Sequence, residues 1–169
     1  MHDTVKNLIN IKEQIKLNLA SNNIQFNPEV IAVSKTFGID KIIPLIEYGH
    51  EHFGENKVQE AIMKWEETKK KNNNLKLHLI GKLQTNKVKF AVKLFDYIHS
   101  LDSEKLAKKI SDEQNKQNLK PKLFIQINLG EEVQKSGIPK KDLSDFKKYC
   151  EELNLNIIGI MCLPPFDED

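Results

Sequence analysis

The chain has 169 residues, of which 39% are hydrophobic and 30% charged, with a net charge of +2 and a pI near 8.4. That length suits one domain with a sizeable core, and so mild a basic excess gives no footprint for nucleic acid. No apolar run reaches about 18 residues, the length that marks a membrane-spanning helix, and the charged N-terminus does not read as a signal peptide, so the expectation is a cytoplasmic protein without a membrane partner.

A helix opens the chain, with Val5, Leu8, Ile15 and Leu19 on an apolar stripe and Asp3 as its candidate N-cap. The first strand, 30–35, reads V-I-A-V-S-K and ends on Lys35. Ile42, Ile43, Leu45 and Ile46 predict a short helix that stops near Gly49, with Pro44 in its first turn. A second strand near 52–56 ends in F-G-E-N, and a helix carrying Val58, Ala61, Ile62 and Trp65 runs out into a solvated polar loop at 69–74. The third strand, 76–80, ends at Gly81. A helix from about Asn86 follows, then a fourth strand at 97–101. Asp102 or Ser103 can cap the next helix, with Leu106 and Ile110 inward. The fifth strand is 123–128. Pro139 is placed at the first position of a helix burying Leu143, Phe146, Cys150 and Leu153, and the sixth strand is 157–163.

Apolar strands alternating with helical segments are the signature of a parallel sheet. A closed (β/α)₈ barrel typically needs about 250 residues, and this chain supplies six strands. Periodicity alone leaves two architectures open, an open six-stranded α/β sheet and a barrel without its last two units.

Parallel α/β folds place their sites at the carboxyl ends of strands. Those ends carry Ser34-Lys35, Glu55-Asn56, Gly81, 100–102, Asn128 and 161–163. Lys35 closes the most apolar strand. Partial desolvation among Ile31 and Val33 would lower its pKa and favour the neutral amine that attacks carbonyls. Taken alone, a solvated lysine at a strand end is the simpler reading, since all 26 basic residues are lysine. The absence of arginine also removes the planar fork that grips phosphate, so an anion site here must use backbone amides, hydroxyls or lysine. His50 and His52 share one side of a strand but lack a third ligand, and His78 reads as a packed histidine with a hydrogen-bond partner. Cys150 and Cys162 lack CxxC spacing and read as small buried hydrophobes. Lysines 69–71 read as a solvated face, and Gly81 and Gly137 as turn positions.

Together the strand ends resemble one family. The segments are I-A-V-S-K-T at 31–36, F-G-E-N-K-V-Q-E at 53–60, H-L-I-G-K-L-Q-T-N-K at 78–87, I-Q-I-N at 125–128, K-S-G at 135–137 and G-I-M at 159–161. In this order they are similar to the pyridoxal phosphate homeostasis proteins, and the resemblance covers the chain from about residue 30. It implies a single (β/α)₈ TIM-type barrel like the N-terminal domain of alanine racemase, spanning 1–169 as one domain with about six of eight units present. The family pattern runs on through two further units that carry the phosphate cradle, so the resemblance implies a barrel truncated at its C-terminus. It further implies pyridoxal 5'-phosphate held as a Schiff base on Lys35, with Asn56, Asn128 and Met161 at the cofactor mouth and Lys135 as an alternative amine. The implied role is cofactor homeostasis without catalytic turnover, by a monomer that hands the cofactor to pyridoxal-phosphate-dependent apoenzymes. A racemase-like enzyme and a non-functional remnant are the alternatives.

Overall fold

The computed structural model describes residues 1–129 and 136–163. Six α-helices and seven strands alternate along these residues. The strands are β1 (Ala32–Val33), β2 (His52–Glu55), β3 (Lys76–Leu79), β4 (Tyr97–Leu101), β5 (Lys122–Asn128), β6 (Ile138–Pro139) and β7 (Ile157–Cys162). They form one sheet in the order β1-β2-β3-β4-β5-β6, with β7 also paired to β5, and every pairing is parallel. The helices are α1 (Asp3–Ser21), α2 (Ile39–Glu47), α3 (Val58–Lys71), α4 (Val88–Leu94), α5 (Glu104–Gln117) and α6 (Leu143–Glu152). This is the partial TIM-type barrel, with β1 and β7 at the two ends of the curved sheet.

The core lies between sheet and helices. Leu77, Leu79, Ile98, Leu123 and Ile125 are at most 1% exposed. Each such side chain contributes about 1.5–3 kcal/mol by leaving water. Trp65 and Ala61 of α3 and Ala91 of α4 close over them, all at 0% exposure. The outward strand residues are thus buried wherever a helix covers them. On β7 the pattern fails: Ile158 and Ile160 are exposed. Cys162 is exposed too, while Cys150 on α6 is buried and its thiol is pushed up to about 11 by that burial. The expectation of two buried cysteines therefore holds for one. β7 ends the sheet, and among the described residues no helix follows it to cover that face.

Several local expectations change. His2, not Asp3, caps α1, with its ring accepting the Thr4 N–H. Only Val5 and Leu8 of the α1 stripe are buried. Pro44 lies inside α2, the helix starting earlier at Ile39. The missing N–H costs one helical bond there, and the apolar face led by Ile42 and Leu45 holds the helix against the core. Residues 69–71 belong to α3, and Lys69 is half-buried, with its ammonium 2.6 Å from Asp96 Oδ2 and 2.8 Å from the Leu94 carbonyl. Pro139 ends the two-residue β6, and a 3₁₀ turn at Lys140–Asp142 leads into α6. Proline cannot donate to a ladder, and its position on so short a strand is consistent with that.

Candidate functional site

The two faces of the sheet have different jobs. On the helix-facing side of β1 and β2, Ser34 and Glu55 are buried at 4% and 0% exposure. Glu55 Oε1 accepts three hydrogen bonds, from Ser34 Oγ at 2.8 Å, Lys64 Nζ at 2.8 Å and Trp65 Nε1 at 2.9 Å. Lys64 Nζ also donates to the Ser34 carbonyl at 2.8 Å.

The barrel-facing side begins with a floor of rings. His52 Nδ1 lies 2.9 Å from His78 Nε2, and His78 Nδ1 lies 2.9 Å from His99 Nε2. His78 stacks on Tyr97 and His99 on Phe124, with centroids 4.2 and 4.3 Å apart. Burial, reinforced by the neighbouring imidazoles, drives the His78 pKa down to about 3, and burial takes His99 to about 4. These rings are neutral at pH 7. The packed, bonded histidine expected at position 78 is confirmed, and it is the centre of a three-ring chain. Sequence reading missed that chain because its members come from three strands and meet only across the sheet. Among the described residues no group of histidine, cysteine or carboxylate side chains is placed to hold a metal.

The carboxyl rim carries the candidate residues. Beyond β1 the chain makes a tight turn, with the Phe37 N–H donating to the Ser34 carbonyl at 3.2 Å. Lys35 takes its first corner and Thr36 its second, at φ +68°. A β-branched residue rarely adopts that conformation, which costs about 1–3 kcal/mol. Lys35 is exposed, and among the described residues its amine makes no hydrogen bond or ion pair. The desolvation expected from Val33 is absent, because Val33 is itself 46% exposed at the end of the sheet.

Asn56 follows β2 and Asn128 ends β5, both half-buried at the same rim. Met161 is on β7, in register with Gln126. The structure therefore puts Asn128 and Met161 at strand ends and Lys35 and Asn56 just beyond them on one rim, β1 being shorter than the expected 30–35; Lys135 lies outside the described residues. The Asn56 Oδ1 atom is buried without a hydrogen-bond partner among the described residues.

Two glycines fix the asparagines. A Cβ on Gly81 would sit 2.2 Å from the Asn56 carbonyl oxygen. One on Gly137, at φ +132°, would sit 2.6 Å from the Asn128 nitrogen. Gly81 is thus a point of close backbone approach, not of left-handed geometry. Gly81→Ala is expected to destabilise the fold by about 1–3 kcal/mol, as overpacking does, and urea unfolding measures it; an unchanged midpoint would refute the contact.

A cleft of about 350 Å³ opens beside Asn56, lined by Lys57, Gln59, Lys82, Gln84 and Lys87. Lys57 is paired with Glu60 at 2.7 Å. The G-K-L-Q-T-N-K segment of the family pattern supplies the cationic wall with Lys82 and Lys87. A larger cavity, about 650 Å³, lies between α1 and residues 24–30 and contains none of the rim residues.

Parallel strands, covering helices and an exposed amine on the carboxyl rim define an incomplete (β/α)₈-type barrel with a rim site. The profile of the alanine racemase N-terminal domain matches residues 8–169. The chain belongs to the pyridoxal phosphate homeostasis protein family. The protein of that name from Buchnera aphidicola is 39% identical over 160 residues, covering 94% of this chain and 69% of its own length. Its Aquifex aeolicus counterpart is 36% identical over 142 residues, covering 83% and 61%. PipY of Synechococcus elongatus, solved with pyridoxal phosphate bound, superposes with a TM-score of 0.75 at 38% identity, covering 89% of this chain and 70% of that one. A Bifidobacterium adolescentis protein of unknown function shares the fold, at a TM-score of 0.89 and 23% identity, covering 100% of this chain and 74% of that one. The chain thus spans from 61% to 74% of the length of these proteins.

Proposed function

We propose that this chain binds pyridoxal 5'-phosphate through Lys35 and serves cofactor homeostasis without catalytic turnover. The observation that carries this reading is the Lys35 amine: exposed, unpaired among the described residues, and held at a defined turn on the carboxyl rim. Family membership and the cofactor bound to PipY support it.

When bound, pyridoxal phosphate would supply an aldehyde carbon that a lysine amine can hold as a Schiff base. The residues present fit that group at its aldehyde end. Lys35 supplies the amine, Asn56 an orphaned buried carbonyl oxygen at the mouth, and Asn128 and Met161 the opposite strand ends. With no arginine among these residues, lysine ammonium groups, hydroxyls and backbone amides are what this stretch offers the phosphate charge. The exposure of Lys35 leaves the amine open to exchange with incoming amines, as delivery to apoenzymes requires. A racemase would in addition need acid–base groups positioned at the reacting carbon. We infer action as a monomer in the cytoplasm; no described helix is long and apolar enough to cross a membrane.

The test is a titration with pyridoxal phosphate, followed by borohydride reduction and peptide mass mapping. Wild type is expected to show the absorbance band of lysine-bound cofactor and a label at Lys35. Lys35→Ala is expected to lose both. A label retained in Lys35→Ala, at Lys135 or elsewhere, would move the site, and alanine racemisation by the loaded protein would replace the carrier by an enzyme.

A further inference from the structure

The helix-facing network behind the rim has a direct line to Lys35. Ser34, the residue before it, is fixed at each of its polar groups. Its N–H donates to the Gly54 carbonyl at 2.9 Å. Its hydroxyl donates to Glu55 Oε1 at 2.8 Å. Its carbonyl accepts from Lys64 Nζ at 2.8 Å and, across the turn, from the Phe37 N–H at 3.2 Å. Glu55 and Lys64 are themselves locked together at 2.8 Å, at 0% and 14% side-chain exposure. Trp65 Nε1 donates to the same carboxylate oxygen, Oε1, at 2.9 Å.

We propose that Glu55 and Lys64 are positioning residues for Lys35, pinning Ser34 from behind so that the strained 34–37 turn presents the amine at the rim. This rests on Lys35 being the attachment lysine. The argument is geometric. A two-residue β1 gives the turn little support of its own, being paired with β2 only at Ala32 and Val33. The Thr36 φ of +68° opposes the turn. A charged donor on the Ser34 carbonyl, shielded from water, is a stronger restraint than a neutral bond in solvent. The ion pair that provides it makes no bond to Lys35 among the described residues, so it restrains the backbone without competing for the amine.

The test uses the full chain with Glu55→Gln and Lys64→Met combined, which removes both charges and strands neither. Ser34→Ala is the second variant, since it alters no charge. Two readouts are taken, amide hydrogen exchange at Phe37 and the rate of Lys35 labelling at fixed pyridoxal phosphate. Both variants are expected to exchange Phe37 at least about tenfold faster and label Lys35 at least about tenfold more slowly, with β5 amides unchanged. Lys64→Arg, which keeps a cation on the Ser34 carbonyl, is expected to leave both at wild-type rates. Phe37 exchange and Lys35 labelling at wild-type rates in folded variants would overturn the proposal. Were the wild type itself unlabelled at Lys35, the binding assignment would fall, and Phe37 exchange would still decide whether the pin exists.

Discussion

At pH 5 the protein is expected to be about 4 kcal/mol less stable than at pH 7, through His78 and His99 alone. Their folded pKa values, about 3 and about 4, lie below the ordinary 6.5. Below pH 6.5 the unfolded chain therefore binds protons that the folded chain refuses. The stabilisation is complete above that value and is lost as pH falls towards the folded values. At pH 5 each ring gives up about 2 kcal/mol. The cause is physical confinement: both rings are under 10% exposed and sit between Tyr97, Phe124 and one another. Urea unfolding at the two pH values measures the effect. His78→Gln is expected to flatten the pH slope even where it lowers stability, and equal wild-type stability at both pH values would refute a neutral histidine floor.

Glu55→Ala is expected to cost about 3–5 kcal/mol, the usual result of stranding one member of a buried ion pair. The loss exceeds that of the pair itself. Lys64 keeps its charge at 14% side-chain exposure with only the Ser34 carbonyl left, and Trp65 Nε1 and Ser34 Oγ lose their shared acceptor. Replacing both charges, as in Glu55→Gln with Lys64→Met, is expected to cost much less, because no ion is left without a counterpart. Denaturant melts of the two variants side by side make the comparison; a milder loss for Glu55→Ala than for the double variant would contradict the network. A marginal domain has only about 5–15 kcal/mol in reserve, so Glu55→Ala approaches the limit of what the fold tolerates.

The sequence by itself determined the rim and the order of elements, apart from the short β6 at Ile138–Pro139, where a helix start is expected from Pro139. Periodicity located β4 closely and found the inward Phe146 and Cys150 of α6, though not its start, because an apolar run or a 3.6-residue stripe is a local property. The strand ends bearing Lys35, Asn56, Asn128 and Met161 were legible for the same reason: wherever a parallel strand stops, its last residues face the rim. Resemblance then singled out Lys35 from the other lysines, which no local pattern could do.

The tertiary structure alone decided what surrounds those residues. His52, His78 and His99 belong to different strands, and parallel register, not spacing along the chain, brings them into one hydrogen-bonded chain. Gly81 and Gly137 read as turn residues, and Gly137 does take a φ of +132°, but only the fold packs the backbones of Asn56 and Asn128 against them. Lys35 was expected to be desolvated by its own apolar strand, but solvation depends on neighbours across the sheet, and at the end strand β1 they are few. Its control comes instead from behind, where Glu55 and Lys64 meet Ser34. Burial of an ion pair is decided by which helix crosses which strand, and that is set only when the whole sheet has formed.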